Sequence, residues 1–332
     1  MNSMQGKVAI VTGGAGSIGH AAAMALARAG ADLMLVDINA QGLAARRGAI
    51  EALGVRVETH VADVRIAADV AAYTASAVQK FGRIDAFFNN AGTEGKLGPT
   101  HEYDEAEFDK IIAVNLKGIF LGMRHVLPVM LRQGHGAVVN TGSIASERGL
   151  AGACAYNASK HGVIGLTRTA ASEVGSLGVR VNAVMPGVID TPLLEAMLKM
   201  LFDGDVAAGK RVLGKISTQN RIGQPTEVGE VVTFTTLHTP HQGFRSPLHI
   251  AIVELDGGAR FVCHGADTKG LKIGATVAIE AIDDVYYFSH LGAMDRARLF
   301  WRRTGRAGDR VNAIARSLAK RVWKGRSVSQ SE

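Results

Sequence analysis

Tyr156 and Lys160 stand four residues apart in CAYNASKHG, a spacing that places both on one face of a helix, one turn apart. Ser143 closes the β-branched run VVNTGS just before that helix. A phenol ionises at about 10, so using it as a base near neutral pH needs a depression of roughly 3 units, or about 4 kcal/mol. A neighbouring ammonium supplies part of that depression. A serine hydroxyl alongside can hold the oxygen that gains or loses the proton. These are the parts of an acid–base site acting on an alcohol or ketone. Ordinary amphipathic helices also carry Tyr-x-x-x-Lys, so the pair alone is weak.

A second group lies nearer the N-terminus. Thr12 to Gly19 reads TGGAGSIG between a strand-like run and a helical one. Glycines there let the backbone approach a pyrophosphate, and the helix N-terminus adds free N–H groups and a positive dipole end. Asp37 ends the next apolar run, LMLVD. A carboxylate in that place accepts ribose hydroxyls and repels a 2′-phosphate, by about 4 kcal/mol per unit charge at 4 Å in a surface-like dielectric. No Arg or Lys stands in the first turn or directly after Asp37 to receive that phosphate. The reading is therefore NAD over NADP. A helix N-cap is the plain alternative for Asp37.

The elements that must position these residues follow from a repeated unit over residues 6 to about 187. Gly30 precedes ADLMLVD, Gly54 precedes VRVETH, Gly82 precedes RIDAFF, Gly134 and Gly136 precede AVVN, and Gly178 precedes VRVNAV. Glycine closes a helix because the residue after the last turn often needs positive φ. The runs that follow are nearly all apolar, as expected when helices cover both faces of a sheet. The pattern predicts an α/β domain with a doubly wound, Rossmann-type parallel sheet. Beyond Pro225 the runs VVTFTTLHTP, HIAIVELDGGARFVCHG and ATVAIEAIDDVYYF are β-branched and broken by Gly, Pro and Asp. They predict a small all-β barrel. From Leu291 the chain reads as a basic helix with an apolar stripe at Val311, Ile314, Ala315, Leu318 and Val322. The expected domains are 1–226, 227–290 and a basic helical tail, 291–332.

With these residues in place, the chain resembles the short-chain dehydrogenase/reductase family over residues 5 to about 226. TGGAGSIG, with Gly13, Ser17, Ile18 and Gly19, is similar to the family's cofactor loop. Asp63-Val64 resembles its adenine-contact pair, and Asn89-Asn90-Ala91-Gly92 its NNAG segment. Asn115, in AVNLKG, falls where the family keeps an Asn that holds a water toward the Lys. Ser143, Tyr156 and Lys160 match the rest of that tetrad. Pro186-Gly187 with Thr191 resembles the segment at the nicotinamide carboxamide. One departure stands out: Ser17 occupies the place of a usual Gly, with Gly16 one position early. The resemblance implies hydride transfer to or from a carbinol carbon. Tyr156 would pass the hydroxyl proton, Lys160 and the nicotinium charge would lower its pKa, Lys160 would hold the ribose, Ser143 would polarise the oxygen, and Asn115 would complete a water relay. It also implies a lid after Thr191. There Leu193, Leu194, Met197, Leu198, Leu201 and Phe202 fit either a bulky apolar substrate or simple packing of the lid.

Residues 229 to about 288 resemble the OB-fold domain that accompanies thiolases and thiolase-like aldolases and has been linked to acyl-CoA binding. The stretches GEVVTFTTLHTPHQGF, PLHIAIVELDGGARFV and LKIGATVAIEAI carry the likeness. Leu255-Asp256-Gly257-Gly258 mimics the last strand of a short-chain dehydrogenase at too long a spacing and is read as accidental. The family's usual four-cysteine zinc ribbon is missing, so no metal is expected. Cys263-His264 lacks partners and is read as structural. Nucleic acid is discounted, since residues 229–290 hold four basic residues against seven acidic ones.

Net charge is +7, yet residues 291–332 alone hold eleven Lys and Arg against three acids. The basicity thus belongs to the tail, where packing is the default, partner docking or attraction of CoA phosphates comes second, and lying on an anionic membrane surface is the third reading. Two cysteines cannot make a disulfide framework, and no leader or membrane-length apolar run is read, so a cytoplasmic protein is expected. The expected function is NAD-dependent oxidation or reduction of a bulky secondary alcohol or ketone, for which a 3-hydroxyacyl-CoA is a candidate. A thiolase-like partner and a homo-oligomer are expected with it. Two other readings compete. In one, an inactive scaffold has lost its last helix and strand and docks the partner through its OB module. In the other, an active enzyme uses its appendage to replace the missing strand and to set its oligomeric state.

Overall fold

The computed structural model describes residues 4–215, 221–234, 252–254, 260–262, 277–282 and 285–290. Six parallel strands form one sheet in the order β3-β2-β1-β4-β5-β6. These are β1 (Val8–Thr12), β2 (Asp32–Asp37), β3 (Val57–Val61), β4 (Ala86–Asn89), β5 (Gly136–Thr141) and β6 (Val179–Val184). The strand order reverses between β1 and β4, and in open α/β sheets that reversal leaves a crevice at the carboxyl ends of the strands.

Every residue of β1 is buried, because both faces of the sheet are covered. Ala9 and Val11 point into a core with Leu26 of α1 (Ser17–Arg28), Leu43 of α2 (Ala40–Glu51), Leu33, Leu35 and Phe88. Ile10 points the other way. It meets Tyr73 of α3 (Ala67–Phe81), Val126 and Met130 of α5 (Gly118–Gln133), Val163 of α6 (Cys154–Val174) and Phe87. The expected helix closures hold where they are most demanding. Gly82 ends α3 at φ 82°. Gly178 takes φ +85° and approaches the Gly134 carbonyl so closely that an added Cβ would lie 2.2 Å from its oxygen.

A continuous helical run carries α4 (Glu105–Ile112), a π-turn (Ala113–Lys117) and α5. By length and composition alone this run is apolar enough to cross a membrane, and half of its most apolar stretch is buried in the protein, as in the core helix of a soluble domain. Packing against the sheet accounts for its apolar side.

The lid segment forms α7 (Pro192–Leu201) and α8 (Val206–Gly214). Leu194, Leu198, Phe202 and Leu213 are buried together, with Met197 and Leu201 packed against them. The packing explanation therefore covers all but Leu193 of the apolar lid residues. Leu193 is 44% exposed and lines the cleft described below.

α9 (Pro225–Phe234) corrects the sequence reading at the expected domain boundary. The run GEVVTF is helical, not a first barrel strand, and the parallel unit has not lost this helix. Val228 joins the core beside α1, and an added Cβ on Gly229 would lie 2.7 Å from the Ala21 carbonyl carbon. Such close backbone approach selects a helix despite the β-branched residues, since tertiary packing overrides propensity.

Farther on, β7 (Ile252–Glu254) pairs antiparallel with β8 (Arg260–Val262), and β9 (Val277–Ile282) with β10 (Val285–His290). These pairs fall where strands were expected. Leu255–Gly258, Cys263-His264 and the basic tail lie outside the described residues.

Candidate active site

The crevice at the strand reversal is a cleft of about 430 Å³, and most residues singled out from the sequence line it. At one end lies the turn after β1. Gly13 takes φ +70°, and a Cβ there would lie 2.8 Å from Asn90 Nδ2. A Cβ on Gly19 would lie 2.1 Å from the Gly13 carbonyl oxygen. Only glycine lets α1 start this close to the turn. The helix begins at Ser17 with Gly16 as its N-cap, and no side chain caps it. The amides of Ser17, Ile18 and Gly19 therefore have no partner from the helix itself, and all three residues line the cleft, a ready anion site. Ser17 fills the family's glycine position without closing that site.

Asn90 ties this end together. Its Nδ2 donates to the Thr12 carbonyl at 3.0 Å, while Thr12 Oγ1 accepts from the amides of Asn90 at 2.8 Å and Ala91 at 3.1 Å. Asp37 also lines the cleft and accepts from the Ala15 amide at 3.0 Å and the Asn39 amide at 2.9 Å. The N-cap of α2 is Asn39, so the capping alternative for Asp37 does not hold. Arg46 of α2 lines the same end. The sequence reading missed it by looking for a cation only in the first turn and directly after Asp37.

At the other end, Ser143, Tyr156 and Lys160 come together, with Pro186, Gly187 and Thr191 beside them. Lys160 is 4% exposed, and its Nζ donates to the Thr141 carbonyl at 2.8 Å, 5.7 Å from the Tyr156 ring centre. Ser143 opens a short 3-10 turn, and its Oγ accepts from the Ala145 amide at 3.1 Å. Thr191 caps α7 by accepting from the Leu194 amide at 3.2 Å. Burial pushes the Tyr156 phenol up to about 12; the Ser143 hydroxyl pulls against this and the Glu94 carboxylate adds to it. Burial also draws Lys160 down to about 8, with Glu94 opposing. The buried ammonium therefore does not by itself bring the phenol to neutral pH.

Three predicted residues stand apart. Asn115 is fully buried and does not line the cleft. Its Nδ2 donates to the Thr93 carbonyl at 2.8 Å and to Ser159 Oγ at 3.2 Å, and its Oδ1 accepts from the Thr93 amide at 2.8 Å. That side chain fixes the loop after β4. Asp63 and Val64 do not line the cleft either, and Arg65 holds the Asp63 carboxylate at 2.6 to 3.0 Å. Glu94, Thr93, Thr141, Gly142 and Ile189 line the cleft without having been anticipated. Glu94 follows directly on the NNAG segment and Thr93, and that position was the available signal. Among the described residues no group of three His, Cys, Asp or Glu could hold a metal.

Comparisons with known proteins agree with this geometry. Residues 7–201 match the family described as short chain dehydrogenase. Residues 207–281 match the C-terminal OB-fold domain of ChsH2, a match that begins within α8. Levodione reductase of Leifsonia aquatica is 42% identical over 254 residues, covering 76% of this chain and 93% of that protein. Cyclohexanol dehydrogenase of Acinetobacter sp. (strain SE19) is 36% identical, covering 70% and 88%. A crystal structure of levodione reductase superposes with a TM-score of 0.68 at 43% identity, covering 70% of this chain and 90% of that one. NAD+-bound xylitol dehydrogenase gives 0.66 at 33% identity, covering 70% and 92%. The chain is an oxidoreductase acting on CH–OH groups of secondary alcohols or the corresponding ketones, and it belongs to the short-chain dehydrogenase family, with an OB-fold domain at its C-terminal side.

Proposed function

We propose that this protein uses NAD to oxidise a secondary alcohol, or reduce its ketone, with Tyr156 as the proton-transferring group. One observation carries the reading. The uncapped N-terminus of α1 and the Asp37 carboxylate share a single cleft with Ser143, Tyr156 and Lys160. The cradle fits a dinucleotide. The amides of Ser17, Ile18 and Gly19 would take the pyrophosphate, and Asp37 the adenosine ribose hydroxyls. Gly13, Asn90, Ala91 and Gly92 would line its path. Pro186, Gly187 and Thr191 would meet the nicotinamide end. When bound, the nicotinamide supplies the hydride acceptor or donor and, when oxidised, a positive charge in the cleft.

The chain's own residues do the rest. The Ser143 hydroxyl holds the substrate oxygen next to the Tyr156 phenol. Tyr156 takes the hydroxyl proton in oxidation and returns it in reduction, a step typically worth about 10²–10⁴-fold. Lys160 places its ammonium beside the phenol and would hold a ribose hydroxyl of the cofactor. Because burial holds Tyr156 at about 12 in the unliganded cleft, the phenol becomes an effective base only once further positive charge enters beside it. Asn115 acts by holding Thr93, and so the shape of the cleft wall.

The OB-fold match supports two finer parts of the proposal, an acyl-CoA form of the substrate such as a 3-hydroxyacyl-CoA, and a thiolase-like partner. A cytoplasmic homo-oligomer completes it. The parallel unit extends through α9, so we place the domain boundary beyond 234. The scaffold reading rested on a lost final helix and strand, and α9 removes the first of these motives. The test is reduction of NAD and NADP, followed by near-ultraviolet absorbance, on secondary alcohols and 3-hydroxyacyl thioesters, with Tyr156→Phe as control. Turnover that needs NAD and disappears in the variant supports the proposal. Turnover that survives the substitution refutes the role of Tyr156.

A further inference from the structure

Glu94 lines the same cleft as Ser143, Tyr156 and Lys160, yet the mechanism above gives its side chain no task. Its position is tightly fixed. Thr93, before it, is clamped by Asn115 through both backbone groups, each at 2.8 Å. Gly95, after it, takes φ +75°, and an added Cβ there would lie 2.5 Å from Ile111 Cδ1. The Lys96 amide reaches Glu107 Oε1 at 3.3 Å, and the Gly98 amide reaches the Gly152 carbonyl at 2.8 Å. The carboxylate between these anchors meets no hydrogen-bond donor among the described residues. Lys160 is the charged group it feels, and that ammonium donates to the Thr141 carbonyl instead. Burial lifts the Glu94 carboxyl above its ordinary value, with Lys160 opposing, and the half-buried side chain has no donor among the described residues to satisfy it. Such a group gains most when a ligand brings the donor. Because its loop is already ordered, little entropy opposes that contact.

We propose that Glu94 is a substrate-orienting acceptor, taking a hydrogen bond from a second donor, a hydroxyl or an amide N–H, that the secondary alcohol carries close to its carbinol carbon. The inference rests on the dehydrogenase reading alone and departs from its acyl-CoA form, since a 3-hydroxyacyl thioester carries an acceptor rather than a donor beside its carbinol carbon. Alcohols with a neighbouring donor are held at two points, the reacting oxygen at Tyr156 and Ser143 and the second donor at Glu94. Alcohols with an anionic group there are turned away by like charge. A site built to satisfy a substrate donor discriminates strongly against the analogue that lacks it, because its own polar group is then left unpaired.

The test compares kcat/KM for cyclohexanol and its vicinal diol in the full-length protein with NAD. The variants are Glu94→Leu, which removes the acceptor, and Glu94→Gln, which keeps an acceptor and loses the charge. The expected wild-type ratio favours the diol. It should fall by about 10- to 100-fold in Glu94→Leu and recover most of the way in Glu94→Gln. Calorimetric titration of NAD into both variants separates a damaged cleft from a lost substrate contact, and wild-type affinity is expected. A ratio that stays put in Glu94→Leu overturns the proposal, whether both activities fall together or neither does. A wild-type protein that oxidises neither alcohol would overturn the dehydrogenase reading on these substrates as well, an outcome distinct from an active enzyme whose ratio ignores Glu94.

Discussion

Replacing Lys160 with Met should stabilise the cofactor-free protein while removing its activity. The side chain is 4% exposed, and burial draws its ammonium from 10.5 down to about 8. At about 1.4 kcal/mol per unit, keeping that charge in the fold costs on the order of 3 kcal/mol at neutral pH. Methionine fills similar space without a charge. It gives up the bond from Nζ to the Thr141 carbonyl, which leaves an unpaired acceptor at a cost of about 1–2 kcal/mol. The net gain is about 1–2 kcal/mol near pH 7, or roughly 2–8 °C in Tm for a domain of this size. The pH dependence gives a second handle. The folded pKa lies below the unfolded one, so the unfolded chain binds more protons between about pH 8 and 10.5. Wild-type stability from this group therefore rises across that window, and the Met variant lacks the rise. Thermal unfolding of both proteins without cofactor should show a gap that is largest near neutral pH, closes near about pH 9 and reverses above it. A variant less stable at neutral pH, or a gap that ignores pH, would refute this account of the buried lysine.

Three further perturbations follow from the same contacts. Gly19→Ala would set a methyl 2.1 Å from the Gly13 carbonyl oxygen, so the turn must open. Calorimetric titration should show NAD binding weakened at least about tenfold, with about 1–3 kcal/mol lost from stability. Asp37→Ser removes the charge that repels a 2′-phosphate and leaves Arg46 in the same part of the cleft. The kcat/KM ratio of NADP to NAD should rise by at least about tenfold. Glu227→Gln breaks a bidentate pair with Arg221, whose guanidinium holds the carboxylate below its ordinary range. Because the folded pKa is depressed, wild type loses this contribution as pH falls through the acid range, and the variant should show a flatter acid limb in thermal unfolding.

Much of the site was legible because its chemistry is local in sequence. The spacing of Tyr156 and Lys160 needs only one helix turn, and the glycine turn needs only the strand before it and the helix after it. The parallel sheet followed from apolar runs set behind helix-closing glycines such as Gly82 and Gly178. What escaped was set by distant partners. Glu94 looks like any polar loop residue until Asn115 is seen to clamp Thr93, 22 residues earlier in the chain. Arg46 sits deep in α2, and only the approach of that helix to the cleft brings it near Asp37. The GEVVTF run has strand-like composition, yet contact of Val228 and Gly229 with α1 makes it a helix. Apolar lid residues could face substrate or each other, and the fold of α7 on α8 decided the matter for all but Leu193. Asn115 matches the family's tetrad by position, and its side chain also bonds Thr93 and Ser159, partners that no local spacing reveals.

The most direct test of the central claim is single-turnover NAD reduction with a secondary alcohol, in wild type and in Tyr156→Phe, alongside NAD titration of both. The account predicts that the variant binds NAD as wild type does and loses turnover by at least about 100-fold. Full turnover in Tyr156→Phe, or a wild-type protein that binds no NAD, would contradict it.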